Sequence, residues 1–188
     1  MTRLHWRGSI DMNTKLWIPI AAVLALPGLY LGGAIPMSIN TEAWSPVYTS
    51  EELARYSDLI IHGTLTDSYS YVEWYISGNV AVPSVYTVWT IEHSEIFKGG
   101  TGDKTRFVVN GGTYNNIVQD AMHKTELNRD DDVIVFLAKE PDSIYKDHYY
   151  MVGIESGIYK INDSMAINNY AESSYDVDSF KEDLRALN

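Results

Sequence analysis

From Val85 to His93 the chain keeps a strict two-residue rhythm. Val85, Thr87, Trp89, Ile91 and His93 fall on one side of an extended backbone. That period belongs to a strand with one face against a core. Its β-branched and aromatic residues suit a pleated surface, where a helix would crowd them. After Ile91 the apolar phase slips to Ile96 and Phe97, which predicts a bulge within residues 94–96.

Similar runs recur along the chain. Residues 57–76 are rich in β-branched and aromatic types, and Ser77, Gly78 and Asn79 signal a turn after them. Residues 104–110 read KTRFVVN, and residues 133–138 read VIVFLA, apolar throughout and therefore deep in a core. Two more strands are predicted over 148–154 and 157–162, closely spaced around Glu155 and Ser156. Residues 111–131 read as polar and irregular, with a helical turn around 118–127. Thr49 followed three residues later by Glu52 is a capping-box signature and predicts a short helix. A second amphipathic helix is predicted near the end, capped by Asp178 or Ser179, with Phe180, Leu184 and Leu187 on one face. Fourteen tyrosines and five tryptophans add to the β bias. Five or six strands without a βαβ rhythm predict a mainly β fold. The length and order fit a small antiparallel OB-like Greek-key barrel, flanked by those two short helices.

Residues 16–36 contain no charge, and Arg3, Arg7 and Lys15 precede them. About 20 apolar residues cross a bilayer as a helix, and the basic end stays in the cytoplasm. The segment therefore reads as a signal peptide or a membrane anchor. Gly32 and Ala34 have the small-residue spacing for cleavage after Ala34. The length of the run favours retention, and Met1 and Met12 are alternative starts. Both outcomes predict a body outside the cytoplasmic membrane, tethered to it or secreted. The expected organisation is signal or anchor over 1–36, linker over 37–48, barrel over 49–175 and terminal helix over 176–188.

The net charge of −11 disfavours nucleic acid and anionic lipid as partners. With no cysteine, disulfides, thiol chemistry and thiolate metal sites are excluded.

Several stretches together carry a family resemblance. They are Asp58-Leu59-Ile60-Ile61-His62-Gly63-Thr64-Leu65-Thr66, Tyr86 to Ile91 leading to Phe97-Lys98-Gly99, Asn110-Gly111-Gly112, Val133 to Leu137, and Val152-Gly153 ahead of Gly157 to Ile161. Over roughly residues 50–165 the chain resembles small secreted or membrane-tethered OB-like β-barrel domains of prokaryotes. Asp131-Asp132 stand where that group usually has Gly-Glu. The resemblance implies a fold and no catalytic residue.

Tests of spacing remove most catalytic motifs. The stretch FKGGTGDKT has Asp103 between Gly102 and Lys104, and a strand follows it, so it is not a phosphate-binding P-loop. In Gly153-Ile154-Glu155-Ser156-Gly157 the serine sits one place late for a nucleophile elbow, and a tight turn is expected. His62 and His93, with a carboxylate, are a candidate metal set for a hydrolase, against packed histidines as the alternative. Asp130, Asp131 and Asp132 are a candidate calcium loop, against a solubilising turn before a core strand. Calcium is the one cofactor left open. Asn162-Asp163-Ser164 is a glycosylation sequon. The expected function is a non-enzymatic binding or envelope protein with protein partners in the envelope. Tyr69, Tyr71, Trp74, Tyr75 and Tyr114 are its candidate ligand-binding residues. The alternatives are the hydrolase and an accessory subunit of a membrane complex, in which Gly28, Gly32 and Gly33 allow close helix contact.

Overall fold

The computed structural model describes residues 37–40, 46–77, 80–100, 102–120, 126–139 and 148–187. The segment 16–36, the turn residues Gly78 and Asn79, and His123 lie outside them. No helix among the described residues is long and apolar enough to cross a membrane.

Over the described residues the protein is mainly β with two short helices. Helix α1 spans Ser50–Tyr56. The Thr49 side chain accepts from the Glu52 backbone N–H while the Glu52 carboxylate reaches back to the Thr49 N–H at 2.9 Å. Two helix-end donors are thereby satisfied, as the capping box requires. Helix α2 spans Val177–Ala186, and its cap is Asp176, which accepts from Ser179 N. The expected caps, Asp178 and Ser179, lie inside the helix. The strand before it, Ser173–Asp176, ends at that cap, so the chain enters the helix earlier.

The dominant element is a hairpin of two long strands, β2 (Leu59–Ser77) and β3 (Val80–Lys98). Next come β4 (Lys104–Asn110), β5 (Gly112–Tyr114), β6 (Ile117–Asp120) and β7 (Asp132–Ala138). The last strands are β8 (Tyr149–Met151), β9 (Ile158–Asn162), β10 (Met165–Asn168) and β11 (Ser173–Asp176). An eight-stranded sheet runs β11-β10-β9-β7-β2-β3-β4-β8. A separate small sheet contains β1 (Met37–Asn40), β6 and β5. The β2–β3 register slips between Ile60 and Ile61, between His62 and Gly63, and between Leu65 and Asp67. The second slip leaves Ser94 unpaired within the predicted bulge region. Extra residues increase strand twist, and the sheet curls until β8 also meets β7.

That junction is narrow. β8 pairs parallel with β4 through Phe107↔Tyr149 and Val108↔Tyr150, and antiparallel with β7 through Leu137↔Met151 and Ala138↔Tyr150. The fold is thus a curled open sheet with a two-residue seam, not a wall closed along its length. Nor is it wholly antiparallel, since β1–β6 and β4–β8 are parallel.

Curling creates two cores. Leu59, Ile61, Leu65, Ile91, Phe107, Val133, Val135 and Leu137 fill the concave side. Ile60, Ile134, Phe136 and Tyr159 face the other way, against Leu53 of α1 and Phe180 and Leu184 of α2. The uninterrupted apolar run 133–138 follows from this, because β7 is buried on both faces.

The structure departs from expectation in several places. Residues 37–40, expected in a linker, form a strand pairing with 117–120. Val118, Gln119 and Asp120, expected in a helical turn, belong to that partner strand. β10 and β11 add two strands that short polar sequence did not announce. The strand expected over 148–154 stops at Met151, and residues 154–157 form a 3-10 turn. Leu187 is half exposed, because the helix ends before its face reaches the core.

Candidate binding face

Alternation along β2 puts Tyr69, Tyr71, Glu73 and Tyr75 on one side of the hairpin. The register places Tyr86 directly opposite Tyr71. The Tyr71 and Tyr86 rings stack with centroids 5.6 Å apart, and Tyr69 lies 6.5 Å from Tyr71. The Tyr75 hydroxyl donates to Glu73 Oε2 at 2.7 Å and lies 2.8 Å from the Tyr86 hydroxyl. The Tyr69 hydroxyl lies 3.3 Å from His148 Nε2. The result is an ordered aromatic row, with Tyr69 48% and Tyr75 44% exposed. Between Glu73 and Glu92 the sequence carries no charge. Tyr86 is absent from the ligand-binding set expected from sequence, since only the register brings it beside Tyr71.

The other predicted aromatics go elsewhere. Trp74 lies on the opposite side of the hairpin with Ile76, both largely exposed. Tyr114 ends β5 in the small sheet. That sheet is stitched beneath the hairpin. The buried Gln119 side chain accepts from Val85 N, and Thr87 Oγ1 donates to the Gly111 carbonyl at 2.7 Å. The Ser70 and Thr87 hydroxyls pair at 3.0 Å. A Cβ on Gly112 would collide with Thr87 Oγ1, so glycine is needed there.

β2 and β3 are neighbours as expected, yet His62 and His93 do not converge. His62 follows the phase of Ile60, towards the helices, with Nε2 2.9 Å from Asp132 Oδ1. His93 follows Ile91 and bridges the β3–β4 connection. Its Nδ1 lies 2.9 Å from the Gly102 carbonyl oxygen and its Nε2 2.9 Å from Thr105 Oγ1. A carbonyl only accepts, so Nδ1 carries a proton and donates it to Gly102.

The three aspartates also diverge. Asp131 bonds Lys160 at 2.8 Å and accepts from Asn128 N at 2.7 Å. Asp132 faces His62, and Asp130 sits in a left-handed turn with φ 68°. Among the described residues no three His, Asp or Glu side chains gather as a metal set. Asn162, Asp163 and Ser164 are exposed at the β9–β10 turn, where Asp163 has φ 54°.

No model of a known protein family matches this chain, and a search of curated proteins finds no match.

Proposed function

We propose that this chain is a non-catalytic binding protein of the cell envelope. It is tethered by, or exported through, residues 16–36, and it recognises a protein partner with the tyrosine side of the β2–β3 hairpin. The observation that carries this reading is the ordered row Tyr69, Tyr71, Tyr86 and Tyr75 on a solvent-facing side of the hairpin, where the one charged side chain, Glu73, is bonded to Tyr75. Tyrosine offers large contact area with few rotors to freeze, and it concentrates at protein interfaces. Prior bonding of the hydroxyls holds the rings in place, which reduces the ordering cost of association.

The proposed architecture is the OB-like Greek-key barrel. Its support is the pairing sequence β7–β2–β3–β4–β8–β7, antiparallel except between β4 and β8. A hydrolase built on His62 and His93 has weaker support, because their side chains serve opposite sides of the sheet.

A photo-crosslinking residue placed at position 75 of the full chain, expressed in native membranes, tests the reading. A discrete adduct at 75, lost when Tyr69 and Tyr86 become serine and absent with the probe at exposed Ser174, is the expected result. Equal labelling at 75 and 174 overturns it.

A further inference from the structure

Bases are scarce in this chain, with 14 against 25 acidic residues. Several are committed to structure. Lys160 pairs with Asp131, Arg185 with Glu95, and Lys98 Nζ donates to the Ala54 carbonyl at 2.8 Å. Three others gather at one cleft of about 590 Å³, where Lys104, Arg106 and Lys139 meet Thr90, Thr105 and Tyr149. Among the described residues no acidic side chain lines it. Arg106 and Lys104 stand two apart on one face of β4, opposite Thr90 and Glu92 of β3. Lys139 follows the end of β7, with Nζ 4.9 Å from the Tyr149 ring centroid. The nearest carboxylate to Lys104 is Glu92 at 3.8 Å, with both side chains more than half exposed. Such a contact contributes little. Arg106 and Lys139 form no ion pair with a described carboxylate.

Cations held together without counter-charges repel, and an anion between them relieves that repulsion. The guanidinium fork matches two oxygens of one carboxylate or phosphate group, while ammonium groups act as point charges. The overall acidity of the protein does not cancel this. Charges beyond about 8 Å are largely screened at physiological ionic strength, so a ligand confined to the cleft feels mainly its three cations together with two nearby carboxylates, Glu92 beside Lys104 and Asp58, which accepts from the Lys139 backbone N–H at 2.8 Å. A long polyanion would run out over the acidic surface.

We propose that this cleft binds a small, multiply charged oxyanion, with Arg106 holding two of its oxygens and Lys104 and Lys139 balancing its charge. Gly100, Lys104 and Thr105 of the FKGGTGDKT stretch all line it, though no P-loop is formed. The site is independent of the tyrosine row.

Calorimetric titration of the full chain with pyrophosphate, and separately with citrate, tests it against sodium chloride of matched ionic strength. Saturable binding of either anion is expected, weakened about tenfold or more in Arg106→Gln and in Lys139→Gln and unchanged in Lys181→Gln. Arg106→Lys keeps the charge without the fork and should fall between. Binding of pyrophosphate alone assigns a phosphate ligand, and of citrate alone a carboxylate. Heats equal to the chloride control, or equal affinity in all variants, overturn the proposal. Arg106 and Lys139 are exposed, so melting curves matching the parent chain keep a folding defect from passing for lost binding.

Discussion

Arg185 in the last turn of α2 grips Glu95 of β3 through two bonds, from Nε at 2.7 Å and from Nη2 at 3.0 Å, to separate carboxylate oxygens. The guanidinium also lies 5.9 Å from the Phe97 ring centroid. A helix at the end of the chain is thus clamped to the bulged part of the long hairpin.

Arg185 holds the Glu95 carboxyl below its ordinary value of 4.5, chiefly through that hydrogen bond. A lowered folded-state pKa adds stability above the unfolded value and loses it as pH falls through the folded one. Arg185→Ala and Glu95→Gln should each lower the melting temperature near neutral pH, and the double variant should lose little more than either single one. The gap between the parent and Glu95→Gln should close as melts are repeated down to about pH 3. Strict additivity of the two substitutions would show that the bond contributes nothing.

Tyr159 behaves in the opposite sense. Burial, with Phe180 at 4.9 Å and Phe136 at 5.9 Å between ring centroids, pushes its phenol up to about 12. The raised value means that its contribution is complete below the unfolded value of about 10 and is lost as pH rises towards the folded one. Denaturant midpoints should therefore drop between about pH 9 and pH 12. Tyr159→Phe should cost about 0.5–1.5 kcal/mol at neutral pH through lost hydrogen bonding, yet show a shallower alkaline decline. An identical decline in both proteins would remove Tyr159 as its source.

A Cβ at Gly63 would run into the backbone oxygen of Glu92 on the neighbouring strand, with Ile91 Cγ1 3.0 Å away. A backbone carbonyl cannot rotate aside as a side chain can. Gly63→Ala should destabilise by about 1–3 kcal/mol or more, as overpacking does. Urea unfolding measures it, and a midpoint unchanged from the parent would show that the bulge beside His62 absorbs the methyl.

Gln119 is buried and supplies the acceptor for Val85 N–H. Gln119→Met keeps much of the volume and removes the acceptor, leaving a donor with the desolvation penalty of about 1–3 kcal/mol. Hydrogen exchange should accelerate at Val85 and across β5 and β6 before the main hairpin is affected. Uniform acceleration throughout the domain would instead mean that the small sheet does not open separately.

What the chain settled locally was readable from its residues. The capping box needs only Thr49 and Glu52 one turn apart, so its geometry is contained in four positions. The alternation from Val85 to Ile91 and the apolar run of β7 follow from which faces must leave water. The slip near Ser94 was legible as a break in phase. Partners across the sheet were not, because each bulge shifts every later pairing. Tyr86 meets Tyr71 in the unshifted register that runs from Ser77↔Val80 to Asp67↔Thr90, before any bulge is reached, and Gln119 gains its role only when β6 packs beneath the hairpin. Adjacent aspartates looked like one cluster, yet adjacent positions in extended chain point apart, and Asp131 and Asp132 found Lys160 and His62. Lys104, Arg106 and Lys139 are scattered along the chain, and the curl of the sheet brings them to one cleft. Sequence alone therefore determined the local elements and the buried faces. Tertiary structure decided the neighbours, because register and sheet curvature depend on contacts made far along the chain.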